Sequence, residues 1–230
     1  MPIPVVSTLL ILQANTPFEI HIADVMLLQA KPVQTELKVT EAQRKKMNQH
    51  AEKHRAVLAE LEKKYGSKKV DPATMQKVSP QLQEAFVALK RSVLQTLTPG
   101  QVRRLGEINL QRLGIAALVD DRVATQVGMT PAQLTEFRKV YTENGQKVAK
   151  IQEDASKPII TKYQKLKPKT QEEAQQLQSK FQNEMAVAGK KIEPKVRALE
   201  QSTAKKLQSM LSQKQTAAFK KLLGKPFRPA

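Results

Sequence analysis

Two histidines spaced by one helical turn come nearest to a metal site in this chain. His50 and His54 lie four positions apart, so on a helix both imidazoles occupy one face and can share a metal ion. The candidate third ligand is Glu60 or a residue from a neighbouring chain. The alternative is that both side chains only flank a helix, because two histidines without a recognised zinc motif make a weak site. We therefore expect neither metal nor cofactor, with His50 and His54 as the weak candidates for metal binding.

The carboxylates and glycines form no recognisable catalytic pattern. The pairs Asp120-Asp121 and Glu172-Glu173 precede helical segments, where carboxylates complement the helix dipole. Absence of Cys excludes a cysteine nucleophile and a thiolate zinc site, and the 8 glycines form neither a P-loop nor a dinucleotide-binding fingerprint. We therefore predict that the protein is not an enzyme.

A short cassette recurs four times, with Ser or Thr placed three residues before Gln and directly after an apolar residue. This spacing predicts a capping box, in which the hydroxyl accepts from the N3 backbone N–H and the Gln side chain returns to the N-cap. The predicted capping residues are Thr40, Gln43, Thr98, Gln101, Thr130, Gln133, Ser212 and Gln215. Four helix starts are therefore marked in the sequence.

The composition is typical of an all-α protein. Ala, Leu, Gln, Lys and Glu are abundant, whereas the chain has only 6 Phe, 3 Tyr and no Trp. Narrow apolar stripes with helical spacing predict thin, two-layer helical hairpins that leave much of each helix in solvent. We predict a connecting segment at 66–80, with short helical potential after Asp71-Pro72 and a helix restart at Pro80, and a second connection at 167–169. We also predict kinks at Pro158 and Pro194.

The chain also contains an internal duplication. A shift of 90 residues places Leu28, Thr40 and Gln43 on Leu118, Thr130 and Gln133, and a shift of 114 aligns the second cassette with the fourth. We therefore predict two duplicated units of elongated, kinked antiparallel hairpins. The predicted segments are an N-terminal apolar segment at 1–24, a first hairpin unit at 25–114, a second unit with longer arms at 115–227, and a tail at 228–230.

The N-terminal segment has two interpretations. Its apolar run from Val5 to Leu12 has the length of a signal-peptide core, but no Lys or Arg precedes it. It is either an atypical export signal or a segment that docks on the body of the protein.

A strong positive charge favours acidic partners. The 39 Lys and Arg against 21 Asp and Glu give a net charge of +18. Nucleic acid, anionic lipid and acidic or unfolded polypeptides are the partners that such a charge attracts. Because the basic residues are spread over every helix, a dedicated nucleic-acid domain is disfavoured, but nonspecific nucleic-acid binding stays the main alternative.

The four cassettes, with the ending Phe219–Phe227, resemble the LTXXQ-motif family of Spy- and CpxP-like bacterial envelope proteins. Val39 and Met129 stand where that family has Leu, and Ser212 stands where it has Thr. The resemblance implies a stress-response protein of the periplasm or cell envelope, with chaperone activity that needs no ATP. It also implies a cradle of antiparallel helices, which family members form as dimers. The duplication predicts that one chain supplies both halves, and a homo-oligomer is the alternative.

We accordingly expect partly unfolded or acidic polypeptides to be held on a basic, partly apolar helical surface. The residues expected to contact them are Lys45, Met47, Leu58, Arg138, Met185 and Lys191. Two alternatives stay open: nonspecific binding of nucleic acid, and a zinc-responsive envelope sensor that binds a signalling partner.

Overall fold

The computed structural model describes residues 17–66, 72–168 and 170–228, and these residues form α-helices and short 3₁₀ turns without a β-strand. The predicted all-α class is confirmed. The predicted N-terminal apolar run at 5–12, Lys169 of the second connection and the last two residues of the tail lie outside the described residues. The α-helices are α1 (Phe18–Ile22), α2 (Lys31–Glu36), α3 (Glu41–Tyr65), α4 (Pro72–Gln95), α5 (Pro99–Leu113), α6 (Asp121–Val127), α7 (Pro131–Gln164), α8 (Gln171–Ser209) and α9 (Gln213–Leu223). The 3₁₀ turns are Val25–Gln29 and Gly114–Val119.

Side-chain caps set where the long helices begin. Thr40, Thr130 and Thr170 each accept a hydrogen bond from the backbone N–H three residues ahead, at the starts of α3, α7 and α8. Asp120 accepts from two N–H groups at the start of α6. Each cap satisfies donors that the first helical turn cannot pair internally. The polar residues therefore determine the helix boundaries.

The described residues form two compact units. One contains the residues up to Leu113 together with those from Lys221 onward, and the other is Gly114–Lys220. The predicted boundary near residue 114 agrees with this division, but the sequence assigned 221–227 to the second unit. In the structure, the Gln111 side-chain amide donates to the Lys225 carbonyl at 2.6 Å and accepts from the Phe227 N–H at 2.7 Å. These bonds attach the C-terminal segment to the first unit.

The core of the first unit lies at the base of the α3–α4 pair, where the short elements pack. α1 lies against α5, and the close approach needs Gly106, because a Cβ there would come within 2.8 Å of the Ile22 side chain. The Asn109 side chain donates to the Ile22 carbonyl at 2.8 Å. The core residues are Ala23, Val25, Leu28, Val33, Leu37, Met47, Val93, Leu94, Leu97, Val102, Leu105 and Ile108.

The second unit buries its apolar residues where the 3₁₀ turn Gly114–Val119 and α6 meet the base of the α7–α8 pair. The turn contacts α6, α7 and α8. Phe137 and Leu118 are fully buried at this base. The buried apolar residues of this unit are Ala117, Leu118, Val123, Ala124, Val127, Leu134, Phe137, Val140, Leu207 and Phe219.

From each base two long helices extend as an antiparallel pair, called here an arm: α3 with α4, and α7 with α8. In the longer arm, Thr203 Oγ1 donates to Asn144 Oδ1 at 2.8 Å, and Tyr163 Oη donates to Glu184 at 3.0 Å. From the first bonded pair to the second, the residue number rises along α7, from 144 to 163, and falls along α8, from 203 to 184. The two helices therefore keep one antiparallel register.

Prolines do not end the arm helices. α4 begins at Pro72, where the sequence indicated only short helical potential, and continues through Pro80, so the predicted connection as far as residue 80 is wrong from Pro72 onward. Residues 67–71 of that connection lie outside the described residues. α7 and α8 likewise continue through Pro158 and Pro194. All three prolines are exposed, so the backbone carbonyls that lose an N–H partner can bond water instead. The kinks stay a prediction.

Candidate functional site

The two histidines lie on α3 with half-buried side chains. Within 17–66, 72–168 and 170–228, no three His, Asp, Glu or Cys side chains come together as metal ligands. Glu60, the candidate third ligand, instead lies on an exposed part of α3. The structure therefore brings together no ligand set around His50 and His54 in the part of the chain that it describes.

The pairs Asp120-Asp121 and Glu172-Glu173 lie at the starts of helices, and Asp121 also forms an ion pair. Asp120 accepts from the backbone N–H groups of Arg122 and Val123, both at 3.0 Å. Asp121 lies 2.7 Å from the Arg138 guanidinium. Glu172 and Glu173 occupy the first turn of α8, where their charge complements the helix dipole. Both pairs thus act at helix starts.

Each cassette forms its capping box, and in each unit the two cassettes also bind each other. Gln43 Nε2 donates to Gln101 Oε1 at 2.8 Å, and Gln101 Nε2 donates back to Gln43 Oε1 at 3.2 Å. Gln133 and Gln215 exchange the same two bonds in the second unit, at 3.4 and 2.9 Å. We call each reciprocal glutamine pair an amide clasp. It joins the starts of two helices that are far apart in sequence.

The first clasp uses the full hydrogen-bonding capacity of both side chains. The second N–H of Gln43 reaches the Thr96 carbonyl and that of Gln101 reaches the Leu37 carbonyl, each at 2.9 Å. Each side-chain oxygen also accepts from its own N-cap N–H, at Thr40 and Thr98. A satisfied polar network of this kind fixes one geometry, since a shift would leave several groups unpaired. The clasps therefore hold the bases of the arms.

The sequence predicted the caps but missed the clasps. The available indication is chemical: a glutamine amide that caps with its oxygen still has two N–H donors to place. Which partner those donors find depends on how the two hairpin ends meet, and a single cassette does not encode it. Thr40, Thr98, Thr130 and Ser212 act in the same boxes, so all eight predicted capping residues have a structural role at the bases.

The residues predicted to contact polypeptide occupy different environments. Met47 is only 9% exposed and belongs to the core, so its placement on an open surface is wrong. Arg138 donates to the Val119 carbonyl and pairs with Asp121, which makes it a residue that joins α7 to the base. The assignment of Met47 failed because the apolar stripe of α3 continues into the base of the arm, and the contact role of Arg138 stays a prediction.

The other four predicted contact residues lie on the arms. Lys45 and Lys191 are exposed, and Leu58 and Met185 are half-buried on the apolar stripes. Met185 lines an open groove and is the predicted residue best placed to contact another molecule.

Outside the bases, the arms bury little. Leu207 alone is buried among the 39 residues of α8, and Met47 alone among the 25 residues of α3. A pair of helices has no third layer to cover its stripe, so apolar side chains stay in contact with water. The large apolar residues exposed on the arms are Val57, Met75, Leu82, Phe86, Val87, Tyr141, Ile160 and Val187.

Each arm contains an open groove between its helices. The α7–α8 groove has a volume of about 570 Å³, with Ala155, Met185, Ile192 and Val196 among its lining residues and charged side chains beside them. The α3–α4 groove has a volume of about 680 Å³ and is lined by Ala56, Val57, Glu60, Leu61, Lys63, Lys64 and Gln81. Of the residues that line the α7–α8 groove, the sequence predicted Met185 as a contact residue. It did not predict Val57 or Phe86, because the exposed members of a stripe have the same periodicity as the buried ones.

Polar contacts hold the far part of the longer arm. The Lys162 ammonium lies 2.6 Å from the Glu184 carboxylate, and the Tyr163 ring packs edge-on against Phe181 with centroids 5.3 Å apart. The hydrogen bond from Lys162, with a second from Tyr163, holds the pKa of Glu184 below its usual value of 4.5. The same bond raises the pKa of Lys162. This cluster pairs α7 with α8 where buried contacts are absent.

Over the described ranges, no helix is both long and apolar enough to cross a bilayer. No protein-family model matches the chain, and comparison with curated proteins and with solved structures gives no match.

Proposed function

We propose that the protein holds partly unfolded polypeptides on its arms, without ATP and without catalysis. The observation that carries this proposal is the exposure of large apolar side chains along both arms, beside open grooves and lysines. Phe86 and Val57 are 42% and 46% exposed, although each is large enough to stabilise a core. Exposed apolar surface in a positively charged protein fits partners that offer apolar segments and acidic groups.

The arrangement supports weak, multivalent holding. Lysines such as Lys45 and Lys191 would accelerate encounter with acidic segments, since opposite charge raises association rates. Apolar contacts with residues such as Met185 and Phe86 would slow dissociation. Broad open grooves without a converging set of polar groups suit extended chains of varied sequence better than one small ligand.

The resemblance to the LTXXQ-motif family supports the same proposal. It extends the proposal to a stress-response role in the periplasm or cell envelope, with unfolded or acidic polypeptides as partners. A sensor that releases a signalling partner under stress would use the same arms. The distinguishing property of the chaperone proposal is protection of unrelated clients.

An aggregation assay over a range of salt concentrations tests the proposal against nonspecific nucleic-acid binding. The protein is mixed with a chemically denatured client, and light scattering is followed at low and high salt, beside DNA binding in the same buffers. We expect scattering to be suppressed even at high salt, because apolar contacts persist when charges are screened. DNA affinity should fall steeply with salt. DNA binding without any suppression of scattering would contradict the proposal.

A further inference from the structure

The end of the chain has a one-sided charge. Beyond Glu200 the sequence contains no acidic residue and seven basic ones, more than the four in the next longest stretch without acidic residues, 85–106. The basic residues beyond that point are Lys205, Lys206, Lys214, Lys220, Lys221, Lys225 and Arg228. A stretch of one sign within a folded protein concentrates positive potential locally instead of sharing it with neighbouring carboxylates.

Four of these lysines lie in the second unit, and we call them the C-terminal lysine surface: Lys205 and Lys206 at the end of α8, and Lys214 and Lys220 on α9. All four side chains are exposed. None of them forms an ion pair with another residue in the described ranges. Their charges are therefore available to an external partner.

The geometry of α9 directs its lysines away from the protein. Gln215 and Phe219, one turn apart, are buried and define the inner side of the helix. At 100° per residue, Lys214 and Lys220 lie more than a quarter turn from that side, and Ala217 lies between them on the outer face. The outer face of α9 thus carries lysine and small residues, without a large apolar side chain.

The chemistry of this surface favours an anionic bilayer over other polyanions. All four cations are lysines, which act as point charges and attract anionic headgroups without a fixed hydrogen-bonding geometry. Phe219 is only 7% exposed, so it offers no ring for base stacking. Neither groove of the arms includes any of the four lysines. Open clusters of four to eight basic residues are typical of surfaces that bind anionic lipid.

We propose that the C-terminal lysine surface binds bilayers that carry anionic lipid headgroups. The protein would rest on the headgroups without inserting, since the outer face of α9 has no large apolar residue to enter the hydrocarbon. Binding would be reversible and would weaken as salt screens the charges. The grooves of both arms include none of the four lysines and would stay available for polypeptides, so this interaction is separate from the proposed chaperone activity.

Vesicle cosedimentation tests the proposal with two charge-matched variants of the full chain. One variant changes the C-terminal lysine surface (K205Q, K206Q, K214Q, K220Q), and the control changes four exposed lysines of the α7–α8 arm (K147Q, K150Q, K180Q, K195Q). Both lose the same charge, and Gln keeps a similar helix propensity. The vesicles contain either equimolar phosphatidylglycerol and phosphatidylcholine or phosphatidylcholine alone, and circular dichroism verifies that both variants are folded.

We expect the wild-type protein to bind only the anionic vesicles. Each lysine close to the bilayer surface contributes about fivefold to vesicle partitioning. The variant of the C-terminal lysine surface should therefore bind at least about tenfold more weakly than wild type. The arm control should bind more tightly than that variant. Equal weakening in both variants would assign the effect to net charge and overturn the proposal. Unchanged binding by the first variant would overturn it as well. Selective loss of DNA binding by the first variant, with vesicle binding intact, would instead assign the surface to nucleic acid.

Discussion

At the scale of single residues, glutamine has two roles at the base of each arm. In the four cassettes its side-chain oxygen completes a cap, and its amide nitrogen joins the partner cassette in a clasp. The cap follows from local spacing and could be predicted from the sequence. The clasp joins Gln43 with Gln101, 58 positions apart, and a pairing over that distance depends on the packing of both helices.

Replacing Gln101 with Glu separates the clasp from the cap. The carboxylate can still accept from the Thr98 N–H, but it loses the donors to the Leu37 carbonyl and to Gln43. We expect the free energy of unfolding in urea to fall by about 2–3 kcal/mol at neutral pH. Thr98→Ala, which removes a cap hydroxyl and keeps the clasp, should cost about 1 kcal/mol.

The two variants should also differ in their response to pH. Neighbouring carbonyl oxygens raise the pKa of the carboxyl group that Gln101→Glu introduces into the folded protein. Above that pKa, Gln101→Glu should lower the free energy of unfolding by the full amount. On acidification the destabilisation should shrink, because the protonated carboxyl group can donate a hydrogen bond again. A Gln101→Glu variant as stable as Thr98→Ala at neutral pH would show that the clasp adds nothing to the cap.

Two helical glycines should respond oppositely to Ala. A Cβ at Gly106 would come 2.7 Å from Ile22 Cγ1, whereas a Cβ at Gly145 would meet nothing within 4 Å. We expect Gly106→Ala to lower the free energy of unfolding by about 1 kcal/mol net, because overpacking outweighs the gain in helix propensity. Gly145→Ala should raise it by about 0.5–1 kcal/mol. Urea unfolding measures both, and stabilisation by Gly106→Ala would contradict the close packing of α1 on α5.

At the scale of helices, caps and apolar periodicity predict the elements better than proline does. α7 begins at the predicted cassette, but α4 begins near Pro72 and continues through Pro80, where the sequence predicted a connecting segment. Exposure of Pro80 lets water replace its missing hydrogen bond. The sequence could not reveal that exposure. Nor could the sequence predict that Met47 is buried at the base of its arm whereas Leu58, on the apolar stripe of the same helix, is only half-buried.

The ion pair in the longer arm should make that arm sensitive to acid. Because the pKa of Glu184 is lowered in the folded protein, the carboxylate stabilises the arm above its usual pKa of 4.5, and this contribution is lost as pH falls through the lower, folded value. Glu184→Gln should therefore lower the melting temperature at neutral pH, and the difference from wild type should vanish in acid.

Glu143→Gln is the matched control, since it removes the same charge from an exposed position on α7. It should leave the melting temperature nearly unchanged. A deficit of Glu184→Gln that persists unchanged in strong acid would contradict the ion pair as its cause.

At the scale of the whole molecule, composition and charge predicted more of the fold class than of the function. A net charge of +18 and a helix-forming composition give an all-α, basic protein. They do not reveal which apolar side chains stay exposed, because Phe86 and Phe137 both lie on apolar helical stripes, yet Phe86 is exposed and Phe137 is buried. That difference arises from the base, where additional short elements cover Phe137. The proposed function rests on it.

The most direct test of polypeptide holding removes exposed apolar groups from one arm. The triple variant Val57→Ser, Leu82→Ser, Phe86→Ser is compared with Met26→Ser, Leu113→Ser, which removes equally exposed apolar groups of the same unit outside its arm. Suppression of client aggregation is measured at high salt for both, after circular dichroism verifies folding. We expect the arm variant to need several times more protein for half-maximal suppression and the control to match wild type. Full protection by the arm variant, or equal loss in both, would contradict holding by the arms.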